Sequence, residues 1–259
     1  MAADWDPDSY LAFADARMRP ARDLLDRLGD AVPGEVVDLG CGAGNVTALL
    51  AARWPDARIA GVDSSPDMLA RAAETGPAGV AWTRTDITHW TPDRPPDLIF
   101  ANASLQWLDD HPRLFPRLFG CLAAGGSLAV QMPGNFAAPS HQAIADTVRD
   151  GPWRARLSPL LRPAPVAAPE TYYNLLAPMA ARLDIWETTY LQILTGADPV
   201  VSFTASTALK PFLDALAPAA RAAFRAAYGR RVAAAYPRRP DGTTLFPFRR
   251  LFLIAERPA

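Results

Sequence analysis

Cysteine is nearly absent: Cys41 and Cys121 are the only two in 259 residues. One of them lies inside a glycine-rich segment, so neither a disulfide framework nor a cysteine-rich metal site is available. Histidine is as scarce. His89, His111 and His141 are scattered, no two have the spacing that grips a metal from one helix face, and no metal is expected. His89 and His111 read as surface residues in turns. Lysine is reduced to Lys210 among 26 basic residues, so the abundance of arginine carries no argument of its own. No serine lies in a G-x-S-x-G elbow, and no Ser-His-Asp or paired-carboxylate arrangement stands out, which argues against hydrolysis. There is no internal repeat, no apolar run approaching about 18 residues, and no apolar h-region in MAADWDPDSY, so no membrane partner and a cytoplasmic location are expected. A net charge of −1 without a basic block speaks against nucleic acid as a partner. A small-molecule substrate and a monomer are the resulting expectations.

What is present is a chain that is 50% hydrophobic and 20% charged, enough for one substantial core or one core with an embedded subdomain. Its most informative stretch is VVDLGCGAGN, residues 36 to 45. Val36, Val37 and Leu39 suit a buried parallel strand, and Gly40, Gly42 and Gly44 let the backbone turn with positive φ and approach a ligand closely. A helix should follow at once, with capping oxygens at Asn45 and Thr47 and an apolar stripe through Val46, Leu49, Leu50 and Trp54, so that its N-terminus faces the ligand. A dinucleotide fingerprint, G-x-G-x-x-G/A, requires a small residue where Asn45 stands. Asp38, two residues before the first glycine, can order the loop or reach an ammonium group, which favours S-adenosylmethionine over NAD. A glycine turn without a ligand is the plain alternative.

Along the chain, residues 9 to 28 read as two short helices broken at Pro20, a candidate lid. ARIAGVD is a second strand ending at Asp63, and SSPDMLARAAE a helix capped by Ser64 or Ser65. Val80 to Thr85 is a third strand ending at Asp86, Leu98 to Ala101 the centre of a fourth, and SLAVQM a fifth, with helix HPRLFPRLFGCL between the last two. This alternation predicts an α/β fold with a doubly wound parallel sheet and right-handed crossovers. After Met132, Pro-rich segments interrupt helical stretches, residues 186 to 194 and RLFLIAERP read as strands, and residues 199 to 236 as two or three cap helices.

Acids that end strands beside a glycine turn sit at the ligand crevice of such sheets. Asp63 is placed to accept from the hydroxyls of an adenosine ribose, and its other reading is a helix cap. Asp86 is placed to accept from the adenine amino group with Ile87 against the ring, a surface cap being nearly as good a reading. Asn102, Ser104, Gln106 and Trp107 follow the fourth strand, where a methyl acceptor meets the cofactor, and an aromatic face such as that of Trp107 holds a sulfonium by roughly 1 kcal/mol. Ser64, Met68, and Tyr10 and Arg17 on the lid complete the cofactor candidates. His141, Tyr172, Tyr173, Arg249 and Arg250 are the substrate candidates, because arginine forks and tyrosine hydroxyls bind carboxylates. The plain reading of these arginines, like that of Arg17 and Arg19, is a solvated flank.

DLGCGAGN, GVDSSPDML, the TDI turn, DLIFANASLQWL, GGSLAVQMPGN, DIWETTYLQIL and FPFRRLF together resemble the class I S-adenosylmethionine-dependent methyltransferases and, within them, the trans-aconitate 2-methyltransferase family. WDPDSYLAFADARMRPARDLL and FPFRRLFLIAE lie outside the generic cofactor motifs and carry the narrower resemblance. It implies a seven-stranded Rossmann-like sheet, mostly parallel with an antiparallel last strand, and a helical cap. It also implies methyl transfer from S-adenosylmethionine to one carboxylate of a tricarboxylate, giving a monomethyl ester and S-adenosylhomocysteine. The expected organisation is lid helices in 1–30, a cofactor core in 31–134, and the rest of the sheet in 135–259 with a cap inserted at about 195–247, all one domain. No catalytic base is needed, since a carboxylate is already ionised at neutral pH. Other expectations remain open: a methyltransferase of another small or carrier-linked carboxylate, a nicotinamide-dependent oxidoreductase, and a non-catalytic S-adenosylmethionine sensor.

Overall fold

The computed structural model describes residues 14–161, 164–205 and 207–259. Tyr10 lies outside them, and so does the side chain of Arg17. In chain order the first elements are α1 (Ala14–Asp26), β1 (Glu35–Leu39), α2 (Asn45–Arg53), β2 (Arg58–Asp63), α3 (Pro66–Thr75), β3 (Ala81–Arg84) and β4 (Leu98–Asn102). There follow α4 (His111–Gly120), β5 (Ser127–Pro133), α5 (Pro139–Asp150), α6 (Arg154–Leu157), α7 (Pro169–Leu176) and β6 (Arg182–Leu194). The last are α8 (Pro199–Ala205), α9 (Lys210–Asp214), α10 (Pro218–Ala235) and β7 (Thr244–Glu256). The seven strands lie in the order β3-β2-β1-β4-β5-β7-β6. β1 to β5 pair in parallel, and β7 runs antiparallel to β5 from Ser127↔Glu256 to Pro133↔Arg250. This is the expected doubly wound, mostly parallel sheet with an antiparallel last strand. Its order reverses between β1 and β4, the switch point at which such sheets bind ligands.

The chain divides into two compact units. The first comprises Arg17–Pro133, Pro165–Thr188 and Arg250–Ala259. It gathers residues 17–30 and 165–188 with the five parallel strands and the end of β7. Its central strands are buried on both faces, which is why Leu98, Ile99, Phe100 and Ala101 form an unbroken apolar run. α1 continues through Pro20, where two helices were expected. The proline forfeits one N–H bond, while burial of Ala21, Leu24 and Leu25 one turn on compensates.

Strand register sorts the polar residues of this unit by face, because residues opposite one another in a ladder point the same way and successive residues alternate. Asp38 is opposite Phe100, and Asn102 two residues on is opposite Gln131. Gln131 is opposite Phe252, and Pro133 is opposite Arg250. Asp38, Asn102, Gln131 and Arg250 therefore share one face. Trp186 stacks on Phe252 on that side, with ring centroids 4.9 Å apart, and the Arg27 guanidinium lies 5.4 Å from the Trp186 ring while pairing with Asp184 at 2.8 Å.

The second unit holds residues 14–16, Gly134–Ala164 and Thr189–Arg249. It has its own apolar core, in which Ile144 and Val148 of α5 meet Val201 and Phe203 of α8, Phe224 of α10 and Phe246 of β7. α8, α9 and α10 are the helices expected between the last two strands. Among the described residues no helix is long and apolar enough to cross a membrane, and no group of three or more His, Cys, Asp or Glu could hold a metal.

Candidate active site

The turn after β1 is fixed by the neighbouring strand: Gly40 and Cys41 both donate to the Val62 carbonyl, at 2.7 and 3.0 Å. Gly40, Gly42 and Gly44 all take positive φ, at 78°, 54° and 82°. They do so for different reasons. A Cβ on Gly40 would lie 2.2 Å from the Ser104 Cβ, and one on Gly44 would lie 2.9 Å from the Trp82 ring. A Cβ on Gly42 would meet nothing within 4 Å. Two glycines thus admit neighbouring side chains, and the third fronts open space at the mouth of the turn.

α2 begins at Asn45 with Gly44 as its N-cap and no side-chain cap. The caps expected from Asn45 and Thr47 do not form, because the Thr47 hydroxyl donates instead to Asp38 Oδ2 at 2.6 Å. Its first amide groups are left for a ligand. Asp38 itself is 1% exposed, and burial drives its pKa from 3.8 up to about 7, opposed by the Thr47 hydrogen bond and reinforced by the Asp63 charge. Through Thr47 it ties the end of β1 to the first turn of α2.

Asp63 takes Gly42 N–H on Oδ2 and Ser65 N–H on Oδ1, both at 2.9 Å. Each carboxylate oxygen keeps a lone pair for a hydroxyl pair. Ser65, not Ser64, caps α3, accepting from Met68 N–H at 3.3 Å, and Ser64 is exposed. Asp86 accepts from both the amide and the hydroxyl of Thr88, at 2.8 and 2.7 Å, and those bonds hold its pKa below the ordinary value. Ile87 beside it is buried toward the glycine turn. The Asp86–Trp90 turn is pinned by a residue the sequence did not single out: Arg117 of α4 donates to the Ile87 and Trp90 carbonyls at 2.5 and 2.6 Å.

After β4 the chain reverses at Ala103 with φ 54°, and Ser104 Oγ donates to the Leu39 carbonyl at 2.6 Å, tying this loop to the end of β1. Asn102 Oδ1 and Gln106 Oε1 are buried without hydrogen-bond partners among the described residues, while Gln106 Nε2 donates to Ala103. An unmet buried acceptor costs about 1–3 kcal/mol, which a bound donor would recover. Trp107 stands 52% exposed at the rim of the loop.

The loop is braced from below by a chain of bonds that corrects two expectations. His111 is not in a surface turn but is buried at the start of α4, and Tyr172 is buried with its hydroxyl committed to His111 and Ala167 rather than held out to a substrate. The Leu105 carbonyl can only accept, so His111 donates to it from Nε2 at 2.9 Å and accepts at Nδ1 from the Tyr172 hydroxyl at 2.8 Å. The Tyr172 oxygen in turn accepts Ala167 N–H at 3.1 Å, and burial raises its pKa to about 12. Replacing Tyr172 by phenylalanine leaves the buried His111 Nδ1 without its donor and the Ala167 N–H without its acceptor. Calorimetry should show a loss of about 1–3 kcal/mol, and no loss would mean that the chain of bonds carries no stability.

The remaining substrate candidates fall in different places. Arg250 of β7 is 9% exposed and in the first unit, on the face shared with Gln131. Arg249 is exposed in the second unit and donates from Nε to the Gly134 carbonyl at 2.8 Å, so strand alternation turns it away from its neighbour's face. Tyr173 is exposed on α7. His141 lies in the first turn of α5 in the second unit, where burial lowers its pKa to about 4, so it is neutral near pH 7. Its ring edge packs against Phe136, with centroids 5.3 Å apart. Sequence reading passed over Gln131 altogether, although a lone amide in the apolar run SLAVQM was a visible signal.

These features fit an adenosyl ligand carrying a cationic sulfur: an open glycine mouth, an uncapped helix start, a strand-end acid with lone pairs to spare, and unmet amide oxygens beyond the switch point. Comparison with known proteins agrees. A methyltransferase-domain family model matches residues 10–165. Among solved structures, Haemonchus contortus phosphoethanolamine N-methyltransferase 2, in complex with S-adenosylhomocysteine, superimposes with a TM-score of 0.57 at 17% identity, covering 93% of this chain and 53% of that one. The YcgJ protein from Bacillus subtilis gives 0.58 at 12% identity, covering 93% and 99%. Both speak to the fold alone. Relatives in sequence say more: the trans-aconitate 2-methyltransferase of Azoarcus sp. is 50% identical over 98% of this chain and 99% of its own length. That of Methylobacterium radiotolerans is 48% identical over 98% and 99%. With such identity sustained from one end to the other, the chain belongs to the trans-aconitate 2-methyltransferase family of methyltransferases.

Proposed function

We propose that this protein transfers a methyl group from S-adenosylmethionine to a carboxylate of trans-aconitate, producing a monomethyl ester and S-adenosylhomocysteine. The observation that carries the reading is the crevice at the switch point, where the mouth at Gly42, Asp63 and the unmet amide oxygens of Asn102 and Gln106 gather in a chain with full-length trans-aconitate 2-methyltransferase relatives. Bound S-adenosylmethionine supplies an electrophilic methyl group on a positively charged sulfur. The turn from Gly40 to Gly44 and the start of α2 would receive it, Asp63 its ribose hydroxyls, and Ile87 the face of its adenine.

From Asn102 to Trp107 the chain offers amides, a hydroxyl already spent on Leu39, and an indole, but no base. None is required, because an acceptor carboxylate with a pKa near about 4 is ionised at neutral pH. The protein's contribution is then alignment and exclusion of water, which can lower a barrier by about 7 kcal/mol or more. A tight arginine pair on the reacting oxygen would blunt it, so Arg250 is assigned to a carboxylate that does not react. Because Arg249 is exposed while Arg250 is buried on the face of Gln131, the two neighbouring arginines should differ in kinetics. R250A should raise KM for trans-aconitate about tenfold to a hundredfold, as loss of a charge-assisted bond implies, and R249A should change it little. Equal effects would remove the clamp. The reaction itself is tested by measuring S-adenosylhomocysteine release with trans-aconitate, citrate, isocitrate and a malonyl thioester, with product masses. Gain of one methyl on trans-aconitate is expected, and turnover confined to another acceptor would overturn the substrate.

A further inference from the structure

Gln131 is a fully buried polar side chain without a use in the mechanism above. It is 0% exposed, and neither Nε2 nor Oε1 has a hydrogen-bond partner among the described residues. It sits in β5 directly opposite Asn102, whose Oδ1 is also unmet, and on its other side the ladder passes to β7, where Arg250 lies on the same face. All three belong to the sheet-bearing unit. β5 is two strands removed from β1, about 10 Å at ordinary strand spacing, so Gln131 lies beyond the glycine turn, on the Arg250 side of Asn102. Fully desolvated amides are kept where something pairs with them.

We propose that Gln131 is a specificity-determining residue, whose Nε2–H donates to a non-reacting carboxylate of the tricarboxylate acceptor beside the one assigned to Arg250. The inference rests on the proposed function. An amide suits this position because it offers a donor to an anion without bringing a second negative charge, whereas a carboxylate in its place would repel the acceptor.

The test is titration of trans-aconitate onto protein saturated with S-adenosylhomocysteine, for wild type, Gln131→Met and Gln131→Asn, with the affinity for S-adenosylhomocysteine and the unfolding temperature measured separately. Methionine keeps the volume and removes the unmet amide, so Q131M should unfold no earlier than wild type. Its Kd for trans-aconitate should rise at least tenfold, and its affinity for S-adenosylhomocysteine should stay within twofold. Q131N keeps an amide but withdraws it by one methylene, and should show the same selective loss, so the result does not hang on one variant. KM for trans-aconitate should rise with kcat nearly unchanged. If wild type binds trans-aconitate and both variants bind it equally well, the assignment is wrong while the proposed reaction stands. If S-adenosylhomocysteine affinity falls in parallel, Gln131 serves the cofactor and the assignment is again wrong. Failure of wild type to bind trans-aconitate would overturn the acceptor, and this assignment with it.

Discussion

Replacing Gly40 by alanine should cripple folding, whereas the same change at Gly42 should leave folding nearly intact and remove cofactor binding. Both glycines have positive φ, 78° and 54°, so each alanine incurs left-handed backbone strain of about 1–2 kcal/mol. They differ in what the new methyl meets. At Gly40 it would lie 2.2 Å from the Ser104 Cβ, and Ser104 cannot step aside because its hydroxyl is bonded to the Leu39 carbonyl at the end of β1. Overpacking of that kind adds about 1–3 kcal/mol. The total, about 2–5 kcal/mol, is a large part of an ordinary domain's stability of about 5–15 kcal/mol. At Gly42 no atom lies within 4 Å of the new methyl, so only the strain remains, and the methyl occupies the mouth assigned to the ligand. Thermal unfolding should place G40A about 2–12 °C below G42A, from the roughly 1–3 kcal/mol of overpacking at about 2–4 °C per kcal/mol for a chain of this size. Calorimetric titration should show G42A binding S-adenosylhomocysteine at least a hundredfold more weakly than wild type. Equal stability of the two variants, or wild-type affinity in G42A, would refute the division of labour within the turn.

That the turn could be located from sequence, while its braces could not, has a physical cause. Strand, glycine turn and helix are written in consecutive residues, each with a local signal: β-branched residues, positive-φ glycines, an apolar stripe. Strand-end acids are legible in the same way, since Asp63 closes the run IAGV and Asp86 follows the short strand AWTR. The partners of these residues come from elsewhere in the chain. Thr47 looked like a cap from its place near a helix start, but a buried Asp38 nine residues back competes for its hydroxyl. Tyr172 looked like a substrate ligand because tyrosine binds carboxylates, but its hydroxyl is spent on His111, 61 residues away. Arg117 gave no local hint of clamping the turn after β3. The order of β7 and β6 at the edge of the sheet, and hence the face shared by Gln131 and Arg250, also depends on pairing that no short window of sequence contains.

Asp38 should make the ligand-free protein lose stability as pH rises from about 4 to about 7. Burial raises its folded-state pKa from 3.8 to about 7. Below pH 3.8 both folded and unfolded chains hold the proton, and the group contributes nothing. Between the two values the unfolded chain ionises while the folded one keeps its proton, so unfolding is increasingly favoured; above about pH 7 the penalty is constant. A shift of that size corresponds to about 4 kcal/mol at most, or roughly 8–16 °C in unfolding temperature. Asp38→Asn, which keeps an acceptor for the Thr47 hydroxyl, should match wild type near pH 4, exceed it increasingly up to about pH 7 and keep a constant margin above that. If the two curves stay parallel across that range, the carboxylate is not held protonated by burial. The same group separates the two roles first weighed for it. Should the ligand's ammonium approach Asp38, binding would pull the pKa back down and release a proton near pH 6. The heat of S-adenosylhomocysteine binding would then depend on the ionisation enthalpy of the buffer in wild type but not in D38N. Buffer-independent heats in both proteins would confine Asp38 to ordering the loop through Thr47.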